Sequence, residues 1–379
     1  MIKIGITGQT GFIGTHLFNT IELYEDKFIR IPFQDELFRN DTQLQNFVKQ
    51  CDVIVHLAAM NRHNDPEVIY NTNIELVNKL IAACESTQST PHILFSSSTQ
   101  EDRDNLYGRS KKEGRKLLEQ WANINKGQFT GLIIPNVYGP FGHPYYNSVV
   151  ATFCHQITHN EQPRIEVDGT LKLIYVGELV SQILEIVEQS FSNQKNNVVI
   201  NEVLIQHTAE IKVSALLKLI QGYKDNYFER GEIPDLSNPF HKNIWNTFLC
   251  YLDHQLFYPF YLNLHTDNRG SFAETAKLKS GGQISFSTTA PGITRGNHYH
   301  TRKCERFTVI KGQAKIEIRR IGTDLKYSFL LNGDRPSFVD MPIWFTHNVT
   351  NIGDDDLYTI FWINEEYNSS DPDTYFEKV

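Results

Sequence analysis

The feature that most constrains the fold is a glycine pattern near the amino terminus. The stretch TGQTGFIG spaces three glycines as G-x-x-G-x-x-G, after the strand-like run KIGI and before a helical run. Glycines at such a junction let the backbone approach a pyrophosphate, and the start of the following helix supplies N–H groups and a favourable dipole. Considered alone, the glycines would also suit a tight turn, but the strand and helix around them favour a nucleotide site. The residues predicted to contact the nucleotide here are Gly8, Thr10, Gly11, Phe12, Ile13 and Gly14.

The rhythm of the chain changes near residue 252. Up to that point, short β-branched runs such as DVIVHLAA alternate with helical stretches such as IELVNKLIAACES, which is typical of β-α-β units and a parallel sheet. Beyond it, closely spaced strands such as AKIEIRRI and LYTIFWIN are separated by turn residues, which predicts a closed or nearly closed barrel. The sequence therefore predicts a doubly wound α/β domain over 1–252 and an all-β domain over 253–379.

Composition and charge exclude several classes of protein. The formal charge of −8 argues against a broad nucleic-acid surface, because phosphate binding depends on clustered Lys and Arg. The amino terminus lacks the features of a signal peptide, and no stretch approaches the ~18 uninterrupted apolar residues of a membrane span. Five widely spaced cysteines without a C-x-x-C suit reduced thiols. We therefore expect a cytoplasmic protein that binds neither nucleic acid nor membranes.

A tyrosine and a lysine four residues apart provide a candidate proton donor. The stretch YGRSK places Tyr107 and Lys111 on one face of a helix. A lysine ammonium beside a phenol favours the phenolate, so we expect it to lower the pKa of Tyr107 towards neutrality. Upstream, FSSS ends a strand with three hydroxyls, one of which suits a hydrogen bond to a substrate oxygen. A solvated helix face is the alternative for the pair alone, but the glycine pattern and HLAA at 56–59 favour the catalytic interpretation.

In this order the motifs resemble those of extended short-chain dehydrogenase/reductases that act on nucleotide sugars. The resemblance covers residues 1 to about 250 and implies a Rossmann-type sheet that binds NAD or NADP. It implies that Tyr107 is the catalytic acid, that Lys111 lowers its pKa and binds the nicotinamide ribose, and that Ser98 contacts the substrate oxygen. It also assigns to the cofactor Leu57, Ala58 and Ala59, and to the substrate Asn136, in PNVYGP, and Asn147.

The sequence departs from this family in two places and leaves the cofactor open. The arginine that often precedes Asn136 is absent, and only eight residues separate Ser98 from Tyr107, which trims the substrate-side loop. Asp35, about twenty residues beyond the glycines, suits the ribose 2′-hydroxyl of NAD. Phe33, nearer the end of the second strand, offers NADP no cationic partner.

Three histidines and a glutamate in the second half have the spacing of a metal site. In GITRGNHYHTRKCERFTVIKG, His298 and His300 alternate on one face of a strand and Glu305 follows, while His347 comes from PIWFTHNVTN. Such a set fits Zn if the site is tetrahedral, and Mn, Fe or Ni if waters add further ligands. The spacing resembles the two motifs of the cupin family, which implies a metal-binding barrel. Trp344 departs from the family, since the second motif usually has glycine there.

A second resemblance concerns the stretch HTDNRGSFAE, which is similar to the first strand of cupin-fold sugar-nucleotide 3,5-epimerases. By that resemblance Arg269 would meet the nucleotide phosphates; an ordinary turn and edge strand is an equal alternative. Three further residues lie near the metal motif and have structural or solvent-facing roles in most proteins, so they are weak candidates for a base: Tyr299, Lys303 and Lys311.

The chain as a whole resembles bifunctional capsular polysaccharide synthesis enzymes in which such a reductase is fused to a cupin. That resemblance implies a homodimer, zinc as the metal and a UDP-linked 4-keto-2-acetamido-2,6-dideoxyhexose as substrate. The cupin would epimerise C3 and the reductase would reduce C4 with NADPH. The product would be UDP-2-acetamido-2,6-dideoxy-L-talose, on the route to UDP-N-acetyl-L-fucosamine.

Substrate chemistry explains why one chain would hold both halves. A ketone at C4 acidifies the C3 proton, so a base can form an enolate, and protonation from the other face inverts C3. Reduction removes that acidity, so epimerisation must come first. Two alternatives stay open: a nucleotide-sugar reductase with a structural barrel, and a sensor of cofactor or sugar without turnover. The Ser-Tyr-Lys set counts against the sensor, because a sensor needs no proton donor.

Overall fold

The structure is a computed structural model that describes residues 1–192, 200–268 and 270–379. Its contacts divide the chain into two compact units. The first unit comprises Met1–Tyr138, Gly142–Val149 and Thr170–Ile211, and the second comprises Gly139–Phe141, Val150–Gly169 and Lys212–Val379. The predicted boundary between residues 252 and 253 follows the change in strand rhythm, which is a different criterion, and it stays a prediction.

Nine strands are described in the first unit. They are β1 (Ile2–Thr7), β2 (Phe28–Ile31), β3 (Val53–His56), β4 (His92–Ser98), β5 (Phe129–Ile134), β6 (Asn136–Tyr138), β7 (Thr170–Tyr175), β8 (Ile200–Leu204) and β9 (Ala209–Lys212). Six of them form a parallel sheet in the order β2-β1-β3-β4-β5-β8, and a smaller sheet has the order β6-β7-β9. Every residue of β3 and β4 is buried, as expected for parallel strands covered on both faces.

The described residues include nine α-helices. They are α1 (Phe12–Glu22), α2 (Asp41–Gln50), α3 (Pro66–Thr87), α4 (Leu106–Asn125), α5 (Val149–Thr158), α6 (Val176–Ser192), α7 (Val213–Arg230), α8 (Pro239–Leu249) and α9 (His254–Phe257). The start of α4 is fixed by its sequence, because the Asn105 side chain accepts a hydrogen bond from Gly108 N at 2.7 Å. A buried core that includes Phe47, Leu80, Phe95 and Trp121 joins α2, α3 and α4 to β4.

The second unit is mostly β. Its strands are β10 (Glu232–Ile233), β11 (Phe260–Tyr261), β12 (Leu264–Asp267), β13 (Gly270–Ala273), β14 (Lys277–Leu278), β15 (Gln283–Thr289), β16 (Thr294–Tyr299), β17 (Glu305–Lys311), β18 (Gln313–Arg320), β19 (Lys326–Asn332), β20 (Ser337–Met341), β21 (Phe345–Asn351), β22 (Leu357–Ile363) and β23 (Tyr375–Phe376). Two five-stranded antiparallel sheets have the orders β11-β20-β17-β22-β15 and β19-β18-β21-β16-β23. The predicted fold class, a doubly wound parallel sheet followed by an all-β region, is confirmed.

A buried ion pair joins helix and sheet inside the second unit. Arg306 of β17 donates to both carboxylate oxygens of Asp340 at 2.7 and 2.9 Å, and to Gly231 O, just after α7, at 2.7 Å. The Tyr227 hydroxyl of α7 also bonds to Asp340. Because each charged oxygen has partners, the pair is compensated in an apolar interior.

Candidate functional site

A cavity of about 1290 Å³ lies in the first unit, at the carboxyl ends of the parallel strands. This edge is where open α/β sheets bind their ligands. The cavity wall contains fourteen of the residues predicted for cofactor, catalysis and substrate: Gly8, Thr10, Gly11, Phe12, Ile13, Gly14, Leu57, Ala58, Ala59, Ser98, Tyr107, Lys111, Asn136 and Asn147. Arg269 lies outside the described residues, so its predicted phosphate contact stays a prediction.

The glycine loop at one end of this cavity has no room for side chains. Gly8 has a φ of 70°, and a Cβ there would lie 2.8 Å from Ala58 N. A Cβ on Gly14 would lie 2.2 Å from Gly8 O. No side chain caps the start of α1 at Gly11, so its first N–H groups face the loop without a side-chain acceptor. The loop therefore fits the pyrophosphate of a dinucleotide.

The segment after β2 brings two opposite charges to the cavity wall. Asp35 and Arg39, at the two ends of a 3-10 helix, both line the cavity and are both exposed. Phe33, which the sequence places near the coenzyme ribose at the end of the second strand, is buried in the core. Its N–H donates to Gln9 Oε1 at 2.8 Å. Sequence reasoning missed Arg39, although a cation four residues after Asp35 was the signal that could have found it.

The candidate catalytic residues converge deeper in the cavity. The hydroxyls of Ser98 and Tyr107 are hydrogen-bonded. The Lys111 ammonium donates to Ser96 O at 2.9 Å and lies 5.9 Å from the centre of the Tyr107 ring. It also lies 5.1 Å from the Phe95 ring. The Y-x-x-x-K spacing on α4 and the end of β4 therefore bring the three predicted residues together.

Burial shifts the pKa values of this group. It raises the pKa of Tyr107 to about 12, with Tyr146 adding to the rise and the Ser98 hydrogen bond opposing it. It lowers the pKa of Lys111 to about 8, while Glu101 acts in the opposite direction. The sequence predicted a pKa of Tyr107 closer to neutrality, whereas burial raises it here; the roles assigned to Tyr107 and Lys111 stay predictions. Tyr107 is therefore protonated at neutral pH, as a proton donor must be.

A buried carboxylate beside β4 was not found from the sequence. Glu101 is 8% exposed and accepts two hydrogen bonds of 2.9 Å from Arg115 and one from Ser97. It holds the turn between β4 and α4, next to Ser98. No motif pointed to it, because its partners come from two different elements.

The loops over the cavity are also joined to one another. The Arg62 guanidinium donates to Tyr146 O at 3.0 Å and also to Tyr145 O. The Tyr146 hydroxyl accepts from Asn61 N at 3.3 Å. Arg62, Tyr146 and His143 line the cavity and were not predicted.

The four predicted metal ligands form a cluster in the second unit. One side-chain nitrogen or oxygen of each lies within 4.8 Å of those of the others; the residues are His298, His300, Glu305 and His347. His298 on β16 pairs with His347 on β21, Glu305 begins β17 in the other sheet, and His300 lies just beyond the end of β16. The His298 side chain is 26% exposed whereas the other three are 9% exposed or less, so the cluster opens on one side.

Contacts within the cluster centre on one carboxylate oxygen. Glu305 Oε2 lies 3.0 Å from His347 Nε2 and 3.2 Å from His300 Nε2. Burial opposes ionisation of Glu305, but contacts with His300 and His347 outweigh it and hold the pKa of Glu305 well below its usual range. Burial lowers the pKa of His298 to about 4, and His347 adds to the effect.

The donor set fits a divalent metal. His300 Nε2 is buried, and apart from the contact with Glu305 Oε2 at 3.2 Å it makes no hydrogen bond among the described residues. Buried donor atoms gathered in this way are stabilised when a shared ligand uses their lone pairs. Three imidazoles and one carboxylate at this spacing match the ligands of zinc and related metals.

The weak candidates for a base near this cluster all have structural partners. Tyr299 is 4% exposed and stacks on Trp344. Lys303 is 1% exposed and donates to Pro372 O at 2.9 Å, and Lys311 lies 5.2 Å from the Tyr358 ring. Trp344 itself has a φ of 61°, in the left-handed region that favours glycine.

Comparison with known proteins decides the relationship. Residues 4–201 match the model of the NAD dependent epimerase/dehydratase family. The chain belongs to that family. Residues 265–375 match the model of the polysaccharide biosynthesis C-terminal domain.

Two relatives match over the full length of this family member. UDP-2-acetamido-2,6-beta-L-arabino-hexul-4-ose reductase of Pseudomonas aeruginosa is 31% identical over 376 residues, which covers 99% of this chain and 98% of the relative. The crystal structure of capsular polysaccharide assembling protein CapF from Staphylococcus aureus has a TM-score of 0.61 and 33% identity, with 100% of both chains covered. CapF is the protein that the sequence suggests, and these two matches confirm that the whole chain resembles it.

A third relative matches a shorter part of the chain. Spore coat polysaccharide biosynthesis protein SpsL of Bacillus subtilis is 27% identical over 119 residues, which covers 29% of this chain and 79% of that protein.

Among the described residues, no helix combines the length and apolar character needed to cross a membrane.

Proposed function

We propose that this protein is a bifunctional nucleotide-sugar enzyme of capsular polysaccharide synthesis. Its second unit would epimerise C3 of a UDP-4-keto-2-acetamido-2,6-dideoxyhexose, and its first unit would then reduce C4 to give UDP-2-acetamido-2,6-dideoxy-L-talose, on the route to UDP-N-acetyl-L-fucosamine. The observation that carries the proposal is the presence of two complete donor sets in one chain, a Ser-Tyr-Lys group in a dinucleotide cavity and a His-His-Glu-His cluster. The full-length relative named as a UDP-hexul-4-ose reductase supports the substrate class.

In the proposed reduction the first unit handles the proton. The glycine loop would hold the pyrophosphate of the coenzyme and Lys111 its nicotinamide ribose, and the bound coenzyme would supply a hydride for C4. Tyr107, whose pKa burial raises to about 12, carries a proton at neutral pH and donates it to the developing alkoxide. Ser98, hydrogen-bonded to Tyr107, holds the substrate oxygen beside the phenol. Asn136 and Asn147 are the proposed contacts to the sugar.

NADPH is the proposed coenzyme, with NAD as the alternative. Arg39 at the cavity wall offers a cation to a 2′-phosphate, which is how Rossmann-type sites accommodate NADP. Asp35 on the same 3-10 helix would instead favour the free ribose hydroxyls of NAD. Arg39 favours NADPH because a charge-assisted hydrogen bond to phosphate is about twice as strong as a neutral one.

In the proposed epimerisation the second unit, which we assign to the cupin fold, holds the metal and the 4-keto sugar. His298, His300, Glu305 and His347 would bind zinc, which would supply positive charge for an enolate oxygen. The partly exposed His298 marks the side from which a sugar would enter. Arg269 remains the proposed partner of the nucleotide phosphates.

A homodimer in the cytoplasm is the proposed working form. The edge strand β15 exposes Ile284 at 59% and Phe286 at 73%, and adjacent apolar side chains on a sheet edge suit a subunit contact. Each of the five cysteines is a free thiol, which suits a reducing compartment.

The deciding experiment is NMR of the 4-keto substrate with the enzyme in deuterated water and no nicotinamide. Deuterium at C3 is the expected result, because proton abstraction must precede reduction. Absence of deuterium, with normal NADPH oxidation once the coenzyme is added, would establish a simple reductase with a structural barrel. If neither exchange nor oxidation occurs, the chain is a sensor and the enzyme proposal fails.

A further inference from the structure

The carboxy-terminal segment of the chain runs along the strand that carries His298. Strand β23 pairs antiparallel with β16, with Phe376 opposite His298 and Tyr375 opposite Tyr299. Beyond β23, Glu377 N donates to Asn297 O at 2.9 Å. The segment therefore lies against the metal cluster, although no motif placed it there.

One residue of this segment, Asp373, bonds to the whole turn between two metal ligands. Its carboxylate accepts from the Thr301 hydroxyl at 2.6 Å and from Thr301 N at 3.1 Å. It also accepts from Arg302 N at 3.0 Å and from Lys303 N at 3.1 Å. These residues fill most of the interval between His300 and Glu305, so a single carboxylate satisfies three successive N–H groups of that turn.

Asp373 also contacts a ligand directly through its backbone. Its carbonyl oxygen is hydrogen-bonded to His300 Nδ1. A carbonyl can only accept, so Nδ1 carries a proton, and Nε2, the atom that faces Glu305, is the nitrogen left to bind a metal. This is the arrangement by which outer partners fix the tautomer and ring orientation of a metal-binding histidine.

The geometry of Asp373 suits this task and limits replacements. The residue is 2% exposed and has a φ of 42°, in the left-handed region that Asp and Asn adopt more readily than other side chains. Its buried charge is compensated by the N–H donors and by the Arg302 guanidinium, 4.0 Å away. The carboxylate of the neighbouring Asp371 contacts the Arg302 guanidinium at 2.7 Å, and its side chain is 65% exposed.

We propose that Asp373 is the positioning residue of the metal centre: through its carboxylate and its carbonyl it holds the turn 301–303 and His300 in the metal-binding geometry. The inference rests on the proposed metal site and adds to it a residue from a segment 72 positions away in sequence. Its loss would leave the four ligands in the chain but less well oriented before the metal arrives. Poorer orientation lowers metal affinity, since part of the binding energy is then spent on ordering the turn.

The test compares Asp373→Asn, Asp373→Ala and the control Asp371→Asn in the full chain. The metal-free proteins are titrated with Zn²⁺ against a chromophoric chelator, and the visible absorption of each Co²⁺-loaded protein is recorded. We expect Asp373→Ala to weaken Zn²⁺ binding by about tenfold to a hundredfold, with an altered cobalt spectrum. Asp373→Asn keeps one acceptor oxygen and the left-handed φ, so its affinity should lie between those of Asp373→Ala and the unmodified protein. Asp371→Asn should bind like the unmodified protein.

Each outcome decides between a positioning role and a role in the fold alone. A lower unfolding temperature with unchanged Zn²⁺ affinity and cobalt spectrum would overturn the inference. If Asp373→Ala does not fold, Asp373→Asn decides, and an affinity equal to that of Asp371→Asn rejects the positioning role. Failure of the unmodified protein to bind Zn²⁺ or Co²⁺ would instead reject the metal site itself, so the two proposals fail in distinguishable ways.

Discussion

At the scale of single residues, Lys111 keeps a positive charge in surroundings that oppose it. The residue is 4% exposed, and burial brings the pKa of its ammonium down from 10.5 to about 8. The charge is therefore lost as pH rises through about 8, whereas Tyr107, with a pKa near 12, stays protonated over the same range. If reduction requires the lysine cation, kcat/KM should fall above about pH 8, and the falling limb belongs to Lys111.

Substitution of Glu101 tests this assignment. Glu101 raises the pKa of Lys111, so Glu101→Gln should move the falling limb of kcat/KM to lower pH. The control is Asp102→Asn, because that carboxylate is 90% exposed and its charge is screened by water. Initial rates of NADPH oxidation from pH 6 to 10 give the pH profiles of kcat/KM, measured in steps of ~0.5 pH unit near the falling limb. A limb that stays in place in both variants would show that another group titrates.

Coenzyme selection is a second property of single residues. Loss of the Arg39 cation should weaken NADPH binding and leave NADH binding unchanged, because only NADPH carries the 2′-phosphate. A hydrogen bond to a charged group contributes about 1.5–3 kcal/mol, so we expect Arg39→Ala to raise the Kd of NADPH about tenfold or more. Quenching of the intrinsic fluorescence of the protein measures the Kd of each coenzyme. Asp35→Asn is the matched control, expected to affect NADH more, and equal losses for both coenzymes in Arg39→Ala would contradict the proposal.

At the scale of elements, local motifs could be predicted because their geometry is set by one strand, one turn or one helix. The glycine loop needs only β1 and α1, and the spacing of Tyr107 and Lys111 needs only α4. Contacts between elements could not be predicted in this way. The position of Glu101 depends on hydrogen bonds from Arg115 of α4. The position of Asp373 depends on hydrogen bonds from a turn that lies 72 residues away in the sequence. The raised pKa of Tyr107 could not be predicted either, because sequence spacing reveals a neighbouring cation but not the burial of the phenol.

Strand β16 shows both what sequence spacing can predict and what it cannot. The H-x-H spacing predicts that two histidines share one site, and both lie in the cluster of His298, His300, Glu305 and His347. The structure reaches that result differently, since the pairing of β16 with β21 shifts between Gly296 and His298, and Asn297 has a φ of 58°. His300 lies beyond the strand end, where the hydrogen bond to Asp373 O orients its ring instead of the strand alternation. A spacing typical of one regular strand can thus belong to a β-bulge followed by a turn that hydrogen bonds hold in place.

At the scale of the whole molecule, each compact unit contains a complete donor set. The residues that line the dinucleotide cavity belong to the first unit, and the four predicted metal ligands belong to the second. Each of the two proposed reactions thus has its donor set within one unit. If the proposed function holds, the 4-keto sugar would have to pass from one donor set to the other, and substrate chemistry would set the order of the two steps.

This separation predicts that two defective proteins restore the full reaction when mixed. Tyr107→Phe should lose C4 reduction by ~10²–10⁴-fold while C3 exchange continues, because only the proton donor is removed. His298→Ala should lose C3 exchange while C4 reduction of the unepimerised ketone continues. With both variants and NADPH present, the 4-keto sugar released by Tyr107→Phe reaches the reductase site of His298→Ala. NMR of the products should then reveal the talose configuration that neither variant makes alone. A mixture that yields only the product of His298→Ala would mean that the epimerised ketone is not released, so that both steps must occur within one assembly.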